Sequence, residues 1–291
     1  MSNHSPVIFV TAAGGQLGGL VVKSLLNVVP GERIIAGVRN PSQRASLERL
    51  GVIVRKADYD EPATLDAAFV GVDRLLLISS NANGQRAEQH RNVVDAAKRA
   101  GIKLLAYTSV LHADKSPLLL AEEHRQTESD IVESNVPFAF LRNGWYTENY
   151  AAAAKPSVER GAVLGSAGDG RISSATRADY AAAAAAVLAA PDVESGRIYE
   201  LAGDDAYTLT QYAAELARQS GKPIVYRNLP EAAYREALVG MGLPTNLAAL
   251  LADSDVGASD NALFDDGRTL GTLIGRPTTP MAATVREALR M

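Results

Sequence analysis

A chain of 291 residues, 47% hydrophobic and 21% charged, can bury the core of one cofactor-sized domain with a smaller lobe appended, rather than two independent globules. Its net charge of −4 offers no basic field for nucleic acid or an anionic membrane, and no stretch approaches the ~20 uncharged apolar residues of a membrane helix. The absence of cysteine excludes disulfides, thiolate zinc sites, Fe–S clusters and a cysteine nucleophile; with no basic leader in Met1-Ser2-Asn3-His4-Ser5-Pro6, it points to a cytoplasmic protein.

The first half alternates short β-rich runs with helical patterns. Val7–Val10 reads as a strand and is followed by a helix from about Gly15 to Leu26. Arg33–Val38 precedes a helix near Ser42–Leu50, and Val52–Arg55 precedes one near Pro62–Phe69. Arg74–Ile78 leads into Gln85–Ala100, then Lys103–Tyr107, a helix at Leu119–Ser134, and Phe138–Leu141. Strand–helix alternation with short connections predicts right-handed crossovers and a parallel sheet buried on both faces. In the second half, Tyr180–Ala190 is an alanine-rich helix and Gly196–Leu201 a late strand. Thr208–Gly221 is a helix with a threonine cap and a glycine stop, Pro223–Tyr226 a strand, and Glu231–Met241 and Asn246–Ala252 helices. The expected fold is α/β: a Rossmann-type doubly wound parallel sheet with a smaller, interleaved α/β C-terminal lobe. Residues 1–150 form the first domain, to which 174–190 return, and 151–291 form the smaller lobe.

The turn after the first strand reads Thr11-Ala12-Ala13-Gly14-Gly15-Gln16-Leu17-Gly18 and opens a helix. Glycines there let backbone N–H groups approach a pyrophosphate, and the helix N-terminus adds a partial positive charge. Ala12 stands where the first glycine of such a turn is expected, placing a Cβ at its tightest point. At the end of the second strand, where NAD-binding sites keep a carboxylate for the ribose 2′-hydroxyl, the chain reads Gly37-Val38-Arg39-Asn40. A guanidinium there pairs with a 2′-phosphate, so NADPH is the expected cofactor, with Arg44 as a second contact; a solvated strand-end cation is the plainer alternative. No tyrosine has a lysine four residues on, and the chain reads His124-Arg125-Gln126-Thr127-Glu128 where that pair would stand. Ketone reduction by a lysine-tuned phenol is therefore disfavoured, while acceptors that are already electrophilic stay accessible. His90, His112 and His124 lack metal-ligand spacing and read as structural or exposed, so no metal is expected.

The glycine spacing resembles that of extended and atypical short-chain dehydrogenases. Taken with Val38-Arg39-Asn40-Pro41, Leu76–Ser80, Gln89–Val93, Ala106–Ser109, Leu141–Tyr146, Ser174–Tyr180 and Asp253–Ser259, the chain resembles the NmrA-like members of that group, and among them the NADPH-dependent quinone reductases. The resemblance implies hydride transfer from NADPH to a quinone or similar small electrophile. It implies cofactor contacts from Thr11, Ala12, Gly14, Gly15, Gln16, Leu17, Arg39, Asp58, Tyr59, Ser79, Ser80 and Asn81. Further along the chain it implies contacts from Asn143, Gly144, Trp145, Tyr146, Asn149 and Ser174. Asn149 is implied in hydride transfer, as an orienting amide rather than an acid, with Tyr107 and Trp145 offering flat faces to a planar ring and Tyr146 beside them in the catalytic set. Trp145 and Tyr146 are also readable as packing, and Asn149 as a helix-surface residue. Reduction of triphenylmethane or azo dyes, and an NADP(H)-binding regulator without turnover, are the competing functions. A homodimer is left open.

Overall fold

The computed structural model describes residues 5–82 and 84–290; residues 1–4, part of the N-terminal stretch read above, lie outside the described residues. Sheet and helices follow in chain order: β1 (Ile8–Val10), α1 (Gln16–Leu25), β2 (Ile34–Val38), α2 (Arg44–Glu48), β3 (Ile53–Lys56), α3 (Pro62–Ala68) and β4 (Arg74–Leu77). Next come α4 (Arg86–Ala100), β5 (Leu104–Val110), α5 (Leu119–Ser134), β6 (Phe138–Asn143), α6 (Thr147–Ala151), α7 (Ala154–Arg160) and β7 (Ala162–Gly165). The remainder are α8 (Arg177–Ala189), β8 (Arg197–Leu201), α9 (Leu209–Ser220), β9 (Val225–Asn228), α10 (Glu231–Gly240), α11 (Thr245–Ser259), α12 (Thr269–Ile274) and α13 (Met281–Arg290).

The chain divides into two compact units. The first comprises residues 1–113, 123–143 and 177–199; the second comprises 114–122, 144–176 and 200–291. The seven-stranded sheet has the order β3-β2-β1-β4-β5-β6-β8, with β1 to β6 paired in parallel. Strand order reverses between β1 and β4, the switch point at whose carboxyl ends open α/β sheets bind ligands. β1, β2 and β5 are buried along their whole length, as a sheet covered on both faces requires. Phe9, Leu75, Leu105, Tyr107 and Phe140 point to one face and pack with Leu65, Phe69, Val93 and Ile131 from α3, α4 and α5.

The alanine-rich run belongs to this unit. It begins at Arg177, three residues earlier than the pattern suggested, and its small side chains let α8 lie close along α1. Arg74 at the start of β4 closes its other end, donating to the carbonyls of Leu188 at 2.7 Å, Ala190 at 2.5 Å and Pro191 at 3.1 Å. Those carbonyls have no helical partner, and the cation also complements the helix dipole.

In the second unit, β7 and β9 form a two-stranded parallel sheet, and Tyr234, Leu238, Ala248 and Ala252 of α10 and α11 make a local core. Thr208 caps α9 through a reciprocal capping box with Gln211, and Gly221 ends it in the left-handed conformation, as the sequence signals predict. Several short elements had no such signal. α7 carries Pro156 in its first turn, where the missing N–H costs nothing, and the strand expected at Pro223–Tyr226 is Val225–Asn228. The helix expected at Ser42–Leu50 is a 3-10 turn, Pro41–Gln43, followed by α2.

Candidate functional site

The turn between β1 and α1 is built as an anion cradle. Thr11 N–H donates to Leu76 O (3.1 Å) and Ala13 N–H to Gly37 O (2.9 Å), fixing the chain between the ends of β4 and β2. Ala12 then takes φ +47°, left-handed backbone that glycine adopts without cost, and its carbonyl accepts the Gly15 N–H at 2.9 Å. The N-terminus of α1 has no side-chain cap and no acidic residue in its first turn, so its leading N–H groups face the opening without a helical acceptor. Gly18 is the glycine the geometry demands: an added Cβ would sit 2.3 Å from Ala12 O and 2.8 Å from Ala13 Cα. Over Gly14 lies the Gln43 amide, which donates to Gly14 O at 3.2 Å; no sequence signal marked Gln43.

Arg39 is exposed just past the end of β2, and its guanidinium makes no hydrogen bond or ion pair among the described residues. Arg44 differs from the expectation of an open second cation, because it pairs with Glu48 at 2.6 Å. Asp58 closes a turn by accepting the Asp60 N–H at 3.1 Å. The Tyr59 hydroxyl lies 2.8 Å from Ile78 O and 2.5 Å from Thr11 Oγ1, while Thr11 Oγ1 accepts the Ile78 N–H at 2.9 Å. A carbonyl can only accept, so the phenol proton goes to Ile78 and the threonine proton to the phenol oxygen. Burial pushes that phenol well above its ordinary pKa. Both hydroxyl protons are thereby given to protein acceptors, lacing the ends of β1 and β4 to the loop after β3.

Beyond β4, Ser79 N–H donates to Thr108 Oγ1 and Ser80 N–H to His90 Nε2, each at 2.9 Å. His90 Nε2 must therefore be the bare nitrogen, with the proton on Nδ1 facing Thr127 Oγ1 at 2.9 Å. Burial holds His90 down to about 3, so it stays neutral and serves the backbone as an acceptor. The Ser80 hydroxyl is spent on Gln89 Oε1 and the Ala82 N–H, leaving Ser79 and the exposed Asn81 as the side chains at this edge.

Tyr107 is corrected outright. It is fully buried in the core between His90, His124 and Phe140, with its hydroxyl 2.7 Å from His124 Nδ1, and cannot lie against an acceptor. β-strand alternation points residue 107 into the sheet–helix core, as it does Leu105. The His124–Glu128 stretch is likewise committed. Glu128 accepts from Ser109 Oγ (2.6 Å), Arg142 Nε (3.0 Å) and Arg142 Nη2 (2.7 Å), a buried pair with 8% and 10% side-chain exposure. Closed networks thus stand where a tyrosine–lysine pair would need a free phenol. At the end of β6, Asn143 is buried and its Oδ1 has no partner among the described residues, an orphaned acceptor at the carboxyl edge of the sheet.

The second unit takes up the chain at Gly144. Trp145 is buried and Tyr146 half-buried; their backbone runs beside Ala175, whose N–H donates to Trp145 O (3.1 Å) and whose carbonyl accepts the Thr147 N–H (3.0 Å). Asn149 is half-buried on α6, the helical setting its expected role required. Ser174 differs from expectation: its hydroxyl is held between Thr147 Oγ1 (2.8 Å) and Tyr207 Oη (2.7 Å), fastening α6 within its own unit. Among the described residues no cluster of His, Asp or Glu can hold a metal ion, and no helix is long and apolar enough to cross a membrane.

A family model for NAD(P)H-binding proteins matches residues 12–191, from the phosphate turn through α8. The chain belongs to the NAD(P)H-binding family. It is 56% identical to quinone oxidoreductase 2 of Escherichia coli over 96% of this chain and 97% of that one. The crystal structure of an E. coli NADPH-dependent quinone oxidoreductase complexed with NADPH superposes with a TM-score of 0.94 at 55% identity, covering 97% of this chain and 99% of that one. Triphenylmethane reductase of Citrobacter sp., complexed with NADP(H), follows at TM-score 0.92 and 38% identity, covering 97% and 99%. The first unit fits the dinucleotide of this NAD(P)H-binding family on three counts. The α1 cradle is open to an anion, Arg39 is uncommitted at the adjacent strand's end, and Asn143 Oδ1 is a buried acceptor awaiting a donor.

Proposed function

We propose that this protein is an NADPH-dependent oxidoreductase that reduces quinones, with the first unit holding the cofactor. The observation that carries the reading is the uncommitted Arg39 in place of a strand-end carboxylate, next in the sheet to an uncapped, acid-free α1 N-terminus. NADPH, when bound, supplies the hydride that reduces the acceptor. The α1 N–H groups and the Gly14–Leu17 turn hold the pyrophosphate, and Arg39 pairs with the 2′-phosphate and discriminates against NADH. Asp58, Ser79, Asn81 and the Tyr59 ring border the adenosine and ribose. Asn143, whose Oδ1 lacks a donor, accepts from the carboxamide end, and Asn149 orients the reacting pair through its amide.

Tyr107, His124 and Glu128, which stand where a general acid would, are all committed to one another or to Arg142 and Ser109. That suits an acceptor whose reduced oxygens take protons from water. The cysteine-free composition fits a cytoplasmic setting.

The test is NADPH oxidation with a panel of quinones beside aldehydes, ketones and cationic dyes. Turnover of quinones well above carbonyls is expected, whereas rapid ketone reduction with idle quinones overturns the reading. Preference for dyes would favour the chemistry named for the Citrobacter relative. Tight NADP(H) binding with no turnover of any acceptor would favour a regulator.

A further inference from the structure

α6 has five residues, Thr147–Ala151, and no side-chain cap at its N-terminus. Isolated helices are marginal in water below about 12–15 residues, so this one cannot hold Asn149 by itself. Its geometry must come from tertiary contacts: the Thr147 N–H bond to Ala175 O, and bonds made by side-chain hydroxyls. Thr147 Oγ1 meets Ser174 Oγ, which meets the Tyr207 hydroxyl. The Tyr212 hydroxyl donates to Tyr150 O at 2.9 Å, and the Tyr150 hydroxyl donates to Asp255 Oδ1 at 3.3 Å.

Asp255 is the one carboxylate among these anchors, and it is buried. It lies on α11, 3% exposed, and its Oδ2 accepts the Ser166 N–H at 2.9 Å just beyond β7. The fold makes room for the carboxylate deliberately: a Cβ at Gly165 would stand 2.6 Å from Asp255 Oδ2. Burial raises Asp255 to about 6, and no cation pairs with it among the described residues. A buried carboxylate without a counter-ion is costly, and it is kept where its hydrogen bonds do something that an apolar residue would not.

We propose that Asp255 is a positioning residue for the reduction: through Tyr150 it fixes α6 and so sets the place of Asn149. This rests on the reading that Asn149 orients the reacting pair. It assigns a role to a stretch, Asp253–Ser259, that the resemblance marked without explaining. Asp255 touches neither cofactor nor acceptor, so its loss should lower kcat and spare cofactor affinity.

The experiment compares Asp255→Ala, Asp255→Asn and Tyr150→Phe in the full chain. Quinone kcat and KM, NADPH Kd, and hydrogen exchange of the 147–151 peptide are measured for each. Asp255→Ala and Tyr150→Phe should each cut kcat roughly tenfold or more, as slight misplacement of a reacting group does, with NADPH Kd within about twofold. Both should speed exchange in 147–151. Combined, they should cost little more than either alone, because one hydrogen bond is removed twice. Asn keeps an acceptor for Ser166 and an amide for the Tyr150 oxygen, so Asp255→Asn should restore most of kcat and the exchange protection. Unchanged exchange and kcat in Asp255→Ala and Tyr150→Phe overturn the proposal, as does an Asn variant no better than Ala. Should the wild-type protein turn over no quinone, the functional reading fails instead, while the exchange of 147–151 still decides whether Asp255 holds α6.

Discussion

Removing the Arg39 guanidinium isolates cofactor choice from everything else in the molecule. The side chain is exposed at the end of β2 and makes no contact of its own among the described residues, so Arg39→Ala leaves the fold intact. A charge-assisted contact to phosphate contributes about 1.5–3 kcal/mol, and exposure to salt and water argues for about 1.5–2 kcal/mol here. At about 1.4 kcal/mol per decade, Kd for NADPH should rise roughly ten- to thirtyfold. NADH presents a hydroxyl to the same place, and its Kd should move less than about twofold. Arg44 gives little compensation while Glu48 holds it at 2.6 Å; adding Glu48→Gln to the Arg39→Ala variant should free it and recover part of the loss. Isothermal titration of both dinucleotides at two salt concentrations measures all of this. Equal losses for NADPH and NADH would refute the assignment, because no 2′-phosphate contact could then be at stake.

Other substitutions probe the turn and the buried networks. Ala12→Gly relieves left-handed backbone worth about 1–2 kcal/mol but adds unfolded-chain entropy of about 0.4–1 kcal/mol, so thermal unfolding should show a net gain of up to about 1.6 kcal/mol. Gly18→Ala places a methyl 2.3 Å from Ala12 O, and NADPH titration should show the cradle lost while far-UV circular dichroism stays near wild type. Arg142→Met strands the Glu128 carboxylate and should cost about 3–5 kcal/mol in urea unfolding; replacing both partners should cost much less.

Acid stability follows from the two buried imidazoles. His90 sits at about 3 and His124 well below 6.5, so folded values lie under unfolded ones. Their contribution is complete above about pH 6.5 and falls as pH drops, by about 1.4 kcal/mol per unit for each group. Asp255, raised to about 6, works with the opposite sign below that pH. Against this background His90→Gln should flatten the acid limb of a stability–pH curve between about pH 6 and 4.5, and an unchanged slope would mean His90 is not neutral in the fold.

Local signals carried the fold and one end of the site. The alternation of apolar runs with helical stretches sufficed for the parallel sheet, because a strand buried on both faces and a helix buried on one write different periods into the chain. The glycine turn and the missing carboxylate at Arg39 were legible for the same reason: each is a short segment whose function depends on its own backbone or its own charge. The capping box at Thr208 and Gln211 belongs to this class.

What the tertiary structure alone decided is how polar groups spend their hydrogen bonds. Nothing in a linear reading shows that Tyr107 points into the core, that Thr11 and Tyr59 bond to each other, or that Ser174 holds Thr147 of α6. The pairs Arg74–Ala190, Glu128–Arg142 and Tyr150–Asp255 join residues 116, 14 and 105 positions apart. A hydroxyl has one proton to give, and which acceptor receives it depends on distances that exist only after the chain has folded. Sequence therefore determined which chemistry the backbone can cradle; the folded structure determined which side chains remain available to perform it.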